Sequence, residues 1–148
     1  MPTANTDDDL EVRARARVGT LLDEKYTLER LIGVGGMAAV YAARHRNGAR
    51  AAVKLLHPEI ARDGEVRARF LHEGKAANRV AHPGVVAVID DDVVASGPDA
   101  GTTYLVMELL EGESVFARAR RSGGMLPEAQ VVSLADDVLG VLEAAHAH

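Results

Sequence analysis

Asn47-Gly48, set between short apolar runs at residues 39–44 and 51–56, constrains the fold more than any other feature of the chain. A type I′ turn needs positive φ at both central positions, and Asn and Gly tolerate it readily. The two runs are therefore predicted to pair as an antiparallel hairpin. Upstream, an extended run at residues 26–32 ends in Gly33, Gly35 and Gly36, so a glycine-rich turn leads into the 39–44 strand. Three strands in a meander follow from turn chemistry. His57-Pro58 ends the third, because proline restricts the residue before it and has no N–H to donate.

Between residues 64 and 81 the spacing becomes helical, with Val66, Phe70, Ala77 and Val80 recurring at three, four and seven residues. Glu73 falls on the same stripe, where a carboxylate is costly without a cation or several donors. His82-Pro83 is expected to close this helix. Extended runs at 85–89 and 103–108 flank a loop containing Gly97-Pro98 and Gly101, making five strands and one helix. Beyond Glu111-Gly112 the pattern gives a short helix at 114–121, a Gly123-Gly124 break and a long helix from Pro127, a residue suited to a first helical turn. Val131, Ala135, Val138, Leu142 and Ala145 form one stripe of the long helix, with Val132, Leu139 and Ala147 near it. Little upstream sequence is left to cover that face. The chain stops at Ala-His-Ala-His without a capping Gly, Asn or Pro, and is expected to be cut rather than finished.

Composition narrows the function classes. A length of 148 residues suits one core. The absence of cysteine excludes disulfides, thiolate metal sites and a cysteine nucleophile, and fits a reducing cytosol. No run approaches the ~18 apolar residues of a membrane span, and the first ten residues are acidic where a secretory signal is basic and then apolar. The chain is expected to be soluble and cytoplasmic, with no membrane partner. Lys plus Arg is 17 against 22 Asp plus Glu, a net charge of -5 that repels phosphate backbones, so no nucleic-acid partner is expected. Arg13, Arg15 and Arg17 follow Asp7, Asp8 and Asp9, and residues 1–18 read as a flexible, locally neutralised leader.

Gly33-Val34-Gly35-Gly36-Met37-Ala38-Ala39-Val40 differs at one position from G-x-G-x-x-G-x-V, with Ala38 where the third glycine would stand. A dinucleotide loop needs a helix directly after it. Here a strand and a hairpin follow, which disfavours a nicotinamide site. The plain alternative is a flexible hairpin tip. Ala51-Ala52-Val53-Lys54 raises the motif above that, because a lysine inside an apolar strand needs an anion. Strand alternation puts Ala52 and Lys54 on one face, under the glycine turn, and Glu73 arrives from the next helix. Lys54 and Glu73 are expected as two buried charges sharing one site. Asp90-Asp91-Asp92 reads as a solvated strand end rather than a cation site. His72-Glu73-Gly74-Lys75-Ala76 lacks the second histidine of a zinc-protease helix and the Ser or Thr of a P-loop. His146 and His148, two apart, lie on different helix faces, so no metal site is expected.

In order, the glycine turn, Ala52-Val53-Lys54, Glu73, His82-Pro83 before a strand, and Tyr104-Leu105-Val106-Met107-Glu108 resemble the protein-kinase small lobe. Gly-Gly-Met together with residues 22–36 is most similar to bacterial serine/threonine kinases. The resemblance runs from about residue 19 to the C-terminus. It implies an α+β fold: a small lobe at 19–111, with a five-stranded antiparallel sheet plus one helix, then the first helices of an incomplete large lobe at 112–148. It also implies ATP as ligand. Gly33, Gly35 and Gly36 would let the backbone approach its phosphates, and Lys54 would contact the α- and β-phosphates while Glu73 orients it. Ile32, Val40 and Ala52 would sandwich the adenine, with Met107 as gatekeeper. The backbone of Glu108 and Leu110 would bond the adenine edge, and Glu113 would reach the ribose. Ala38 is small and is expected to be tolerated.

The 148 residues contain no His-Arg-Asp loop, no downstream magnesium Asn, no Asp-Phe-Gly and no Ala-Pro-Glu. His45-Arg46-Asn47 is no substitute, since it precedes Lys54 and lacks the Asp. In the family the catalytic loop begins just past the point where this chain stops. Phosphoryl transfer needs positioned phosphates, magnesium and a catalytic Asp. The chain supplies the first, so magnesium is expected only with large-lobe residues and the chain alone is expected to be inactive. Three readings remain. It is the start of an active kinase acting on protein Ser/Thr; or a nucleotide-binding pseudokinase or regulatory interaction module pairing with another chain, such as a complementary lobe; or a nonfunctional truncated remnant whose 131–145 stripe lacks cover.

Overall fold

The computed structural model describes residues 6–147. In chain order the elements are α1 (Thr6–Ala16), β1 (Leu21–Leu22), β2 (Tyr26–Val34), β3 (Ala38–His45), β4 (Arg50–Leu56), α2 (Gly64–Ala77), β5 (Val88–Val93), β6 (Thr103–Met107), α3 (Val115–Arg121) and α4 (Glu128–His146). Six strands form one antiparallel sheet in the order β1-β2-β3-β4-β6-β5. The expected meander is β2-β3-β4, and the sixth strand is the two-residue β1 at the edge.

The hairpin between β3 and β4 forms at Asn47-Gly48, but by a different turn. Gly48 has φ of 92°, while Asn47 does not adopt positive φ. Gly48 N–H donates to His45 O at 2.8 Å and His45 N–H to Ala49 O at 2.8 Å, the pattern of a type I turn followed by a glycine bulge. Asn47 Oδ1 accepts from Ala49 N–H at 2.9 Å, which stabilises that geometry locally.

Strand alternation divides the core into two layers. Ala39, Tyr41, Ala43, Ala51, Val53, Leu55, Tyr104 and Val106 belong to the larger cluster, on one face of the sheet. Ala38, Leu56 and Leu105 point the other way and join Phe70 of α2 in the smaller one. The registers Val40↔Lys54↔Leu105 and Ala52↔Met107 extend this second face along β3, β4 and β6. β2 is irregular, with register shifts between Leu28 and Arg30 and between Leu31 and Gly33.

The sheet curls until its two edges meet. Asp23, in the β1–β2 turn, accepts from Ala95 N–H beyond β5 at 2.8 Å and from the Tyr104 hydroxyl of β6 at 3.1 Å. Lys25 Nζ lies 2.6 Å from Asp92 and 3.1 Å from Asp23. Ala95 N–H is the first cause holding the Asp23 carboxyl below its usual range, and the hydrogen bond to Lys25 does the same for Asp92.

Several expectations are corrected. Residues 6–16, read as part of a flexible leader, form α1; residues 1–5 lie outside the described residues. Ala14 of α1 is buried in the larger cluster, and its carbonyl accepts from the Tyr41 hydroxyl at 3.0 Å. The ion pair Arg13–Glu59 holds the same helix, and Arg17–Asp99 holds the residue that follows it. β5 begins at Val88 rather than residue 85, and Asp90, Asp91 and Asp92 lie within it rather than at a strand end. Helix α2, capped by Asp63 accepting from Glu65 and Val66 N–H, ends at Ala77, before His82-Pro83. Asn78 explains both offsets: its Nδ2 donates to Val88 O at 2.6 Å and its Oδ1 accepts from Val88 N–H at 2.9 Å, tying the helix end to the start of β5.

Helix α3 is capped by Ser114, whose hydroxyl oxygen accepts from Ala117 N–H at 3.1 Å. Helix α4 lies against the 82–84 turn so closely that a Cβ on Gly84 would sit 2.7 Å from Val141 Cγ2. Its stripe stays open, with Val131, Val132, Val138, Leu139 and Leu142 all exposed. No helix among the described residues is long and apolar enough to cross a membrane.

Candidate functional site

Gly33, Val40, Ala52, Lys54 and Met107 share the second face of the sheet. Gly33 is paired with Val40, Val40 with Lys54, and Ala52 with Met107. Phe70 packs with Ala38, Leu56 and Leu105 beneath α2, Lys54 lies in one cross-strand row between Val40 and Leu105, and Ala52 and Met107 form the next row. Ala52 is buried, whereas Ile32, in the β2 irregularity next to Gly33, is exposed.

Lys54 Nζ approaches Glu73 Oε2 at 3.9 Å and lies 5.4 Å from the centre of the Phe70 ring. The structure thus brings together the two charges that the sequence places on a strand face and a helix stripe. The expectation that they are buried is corrected: the side chains are 31% and 55% exposed. Glu73 sits at the margin of the α2 interface, whose buried positions are Phe70 and Gly74. The pair is solvated, so the lysine can exchange part of this contact for another anion without stranding a buried charge.

Above the pair, Gly35 and Gly36 form the tip between β2 and β3. Gly35 N–H donates to Ala38 O at 2.9 Å. A Cβ placed on Gly33 or Gly36 would meet no atom within 4 Å, so the backbone is open to a ligand that approaches it. Ala38, in place of the motif's third glycine, is buried beside Leu56 and Phe70 and fits without strain.

At the far end of β6, Glu108 N–H donates to Ala87 O at 3.0 Å and Glu108 Oε1 accepts from Ala87 N–H at 2.7 Å. Of its two backbone groups, the carbonyl is the one left for a ligand. Leu110 is exposed. Glu113 is drawn to Arg121 at 2.6 Å rather than toward the glycine turn. Sequence reasoning took His57 only as a strand end and missed Asn78 and Asp63. Asp63-Gly64 ahead of an amphipathic run is a readable cap signal, whereas the roles of His57 and Asn78 depend on partners 10 to 22 residues away in sequence. No group of three or more His, Cys, Asp or Glu among the described residues could hold a metal ion.

Residues 26–148 match the family model described as "Protein kinase domain". The chain is 40% identical over 108 residues to the serine/threonine-protein kinase PknA of Mycobacterium tuberculosis, covering 72% of this chain and 25% of that protein. It is 37% identical over 123 residues to the serine/threonine-protein kinase Pkn1 of Myxococcus xanthus, covering 82% and 17%. The crystal structure of the M. tuberculosis PknI kinase domain superposes with a TM-score of 0.64 at 30% identity, covering 87% of this chain and 51% of that one. The chain therefore spans a quarter or less of these curated relatives and about half of the solved kinase domain.

Proposed function

We propose, for a chain that belongs to the protein kinase family and resembles its bacterial serine/threonine members, that it is the nucleotide-positioning part of the kinase domain. The observation that carries the reading is the placement of Lys54 and Glu73, 3.9 Å apart, on the face shared by Gly33, Val40, Ala52 and Met107. ATP would lie with its adenine between Ile32, Val40 and Ala52, beside Met107, its edge met by the Glu108 carbonyl and the Leu110 backbone. The open backbone of Gly33, Gly35 and Gly36 would face the phosphates. Lys54 would bind the α- and β-phosphates, with Glu73 holding its ammonium in place. Glu113 would reach a ribose hydroxyl only by releasing Arg121.

Phosphoryl transfer to protein serine or threonine also needs a catalytic Asp and magnesium-holding residues, and none of their motifs occurs in the 148 residues. Transfer is accordingly assigned to a whole domain, and nucleotide binding to this chain. Isothermal calorimetry with MgATP tests the assignment on the wild-type chain and Lys54→Ala at fixed salt. Binding between about 10 μM and 1 mM, weakened at least tenfold in the variant, supports it. A folded wild type that binds nothing at millimolar ATP refutes it.

A further inference from the structure

We infer that His57 is a positioning residue for the nucleotide phosphates, acting through the glycine turn; the inference rests on the nucleotide reading above. His57 is the residue after β4, three positions beyond Lys54, and is 7% exposed. Its ring Nε2 lies 2.8 Å from Gly35 O and its backbone N–H donates to Met37 O at 3.0 Å. A carbonyl only accepts, so Nε2 carries the hydrogen. One residue thus holds the turn at two points, and that residue also terminates the strand bearing the phosphate lysine. The His57 carbonyl in turn accepts from Ile60 and Ala61 N–H at 3.1 and 3.0 Å, so the tether itself is fixed by the corner leading into α2.

The direction of the tether gives it a function. Along β4, Ala52, Lys54 and Leu56 point to the ligand face, while Ala51, Val53 and Leu55 point to the face that α1 covers. His57 continues the second set: it lines a cleft of about 270 Å³ with Leu10, Ala14, Tyr41 and Glu59, beneath α1. Gly35 C=O is therefore drawn toward the α1 face. In a planar trans peptide the next N–H points opposite to the carbonyl, so Gly36 N–H is turned toward the face of Lys54 and Val40. That amide is a donor of the kind that cradles a phosphate oxygen; a Cβ on Gly36 would meet no atom within 4 Å, and on its other side the turn borders a hollow shared with Leu10 and Glu11 of α1. Without the tether, a glycine peptide rotates with little steric resistance and the donor is aimed only part of the time. The expected penalty falls on phosphate binding and spares adenine binding.

The test compares the wild-type 148-residue chain with His57→Leu and His57→Gln, the latter keeping an N–H donor at similar reach. Two readouts are taken on samples shown to be folded by thermal melting: ¹⁵N relaxation of the Gly36 amide, and calorimetric affinity for MgATP and for adenosine. The expected result is a mobile Gly36 amide in His57→Leu, ATP binding weakened about five- to tenfold with adenosine changed less than twofold, and recovery of both in His57→Gln. If wild type binds ATP while His57→Leu keeps the same amide order and ATP affinity, or loses ATP and adenosine equally, the tether is refuted and the nucleotide reading stands. A wild type that binds no ATP refutes the nucleotide reading and the tether's role with it.

Discussion

Replacing Asp23 by Ala should open the curled sheet, because Asp23 joins its two edges. The Tyr104 side chain is buried at 1% exposure, and losing its acceptor leaves a buried hydroxyl at a cost of roughly 1–3 kcal/mol. Ala95 N–H can turn to water, so its loss adds about 0.5 kcal/mol. Asp23 sits at φ of 50°, a left-handed conformation that Asp tolerates better than Ala, adding about 0.5–1 kcal/mol. The sum is about 3 kcal/mol, or a fall in Tm of roughly 6–12 °C for a chain of this length. A urea-melt double-mutant cycle with Tyr104→Phe isolates the pairwise part. The double variant should cost at least 0.5 kcal/mol less than the two single losses added, because the hydroxyl left without an acceptor in Asp23→Ala is gone. Additive losses, or a single-variant cost below about 1 kcal/mol, would show that the edges are held elsewhere. The pH dependence supplies a second check. Asp23 and Asp92 are both lowered from 3.8, so their stabilisation is present above that value and is lost as pH falls through the folded-state pKa values. Asp23→Ala should therefore flatten part of the stability loss below about pH 4.

Three further outcomes follow from the packing. Phe70→Ala, which empties the fully buried contact between α2 and Leu105, should cost about 3–5 kcal/mol in urea melts and weaken ATP binding by loosening the helix that presents Glu73. Glu73→Gln should leave stability within about 0.5 kcal/mol, since the pair is long and solvated, while calorimetry shows weaker ATP binding. Glu24, exposed and at φ of 54°, should be replaceable by Gly with a gain of up to about 1 kcal/mol in Tm-derived stability.

Turn chemistry was legible because it is local. Gly48 announces a hairpin wherever it follows Asn between apolar strands, although the bonds to Ala49 rather than the dipeptide decide between a type I′ turn and a bulged type I turn. The meeting of Lys54 and Glu73 was legible from period-two and period-3.6 spacing, while their exposure was not, since it depends on what neighbouring elements cover. α1 could not be read because it lacks an apolar stripe. Ala14 is the one buried residue among its described side chains, and the helix and the Arg17 that follows it dock through Tyr41, Glu59 and Asp99, 27 to 82 positions away. The offset of β5 has the same origin, because Asn78 selects Val88 through two side-chain bonds that no propensity encodes.

β4 shows how one strand can keep stability and ligand contact separable. Ala51, Val53 and Leu55 lie in the larger core, so truncating Val53 or Leu55 acts on the folded fraction and reaches the ligand only through it. Ala52 and Lys54 lie on the other face, where Lys54 is partly solvated and its loss leaves no buried charge behind. Replacing Lys54 would therefore act on the proposed nucleotide binding at nearly constant stability, whereas Ala52 is buried and its enlargement would also strain the packing. The two sets would be independent if the strand ended at Leu56. His57 removes that independence: its ring is seated on the core side, yet the carbonyl it holds belongs to the turn above the ligand side. A disturbance of α1 at Arg13 or Ala14 therefore has a short physical path to the glycine turn, and through it to the proposed phosphate site, by way of Glu59, the 57–61 corner and Gly35.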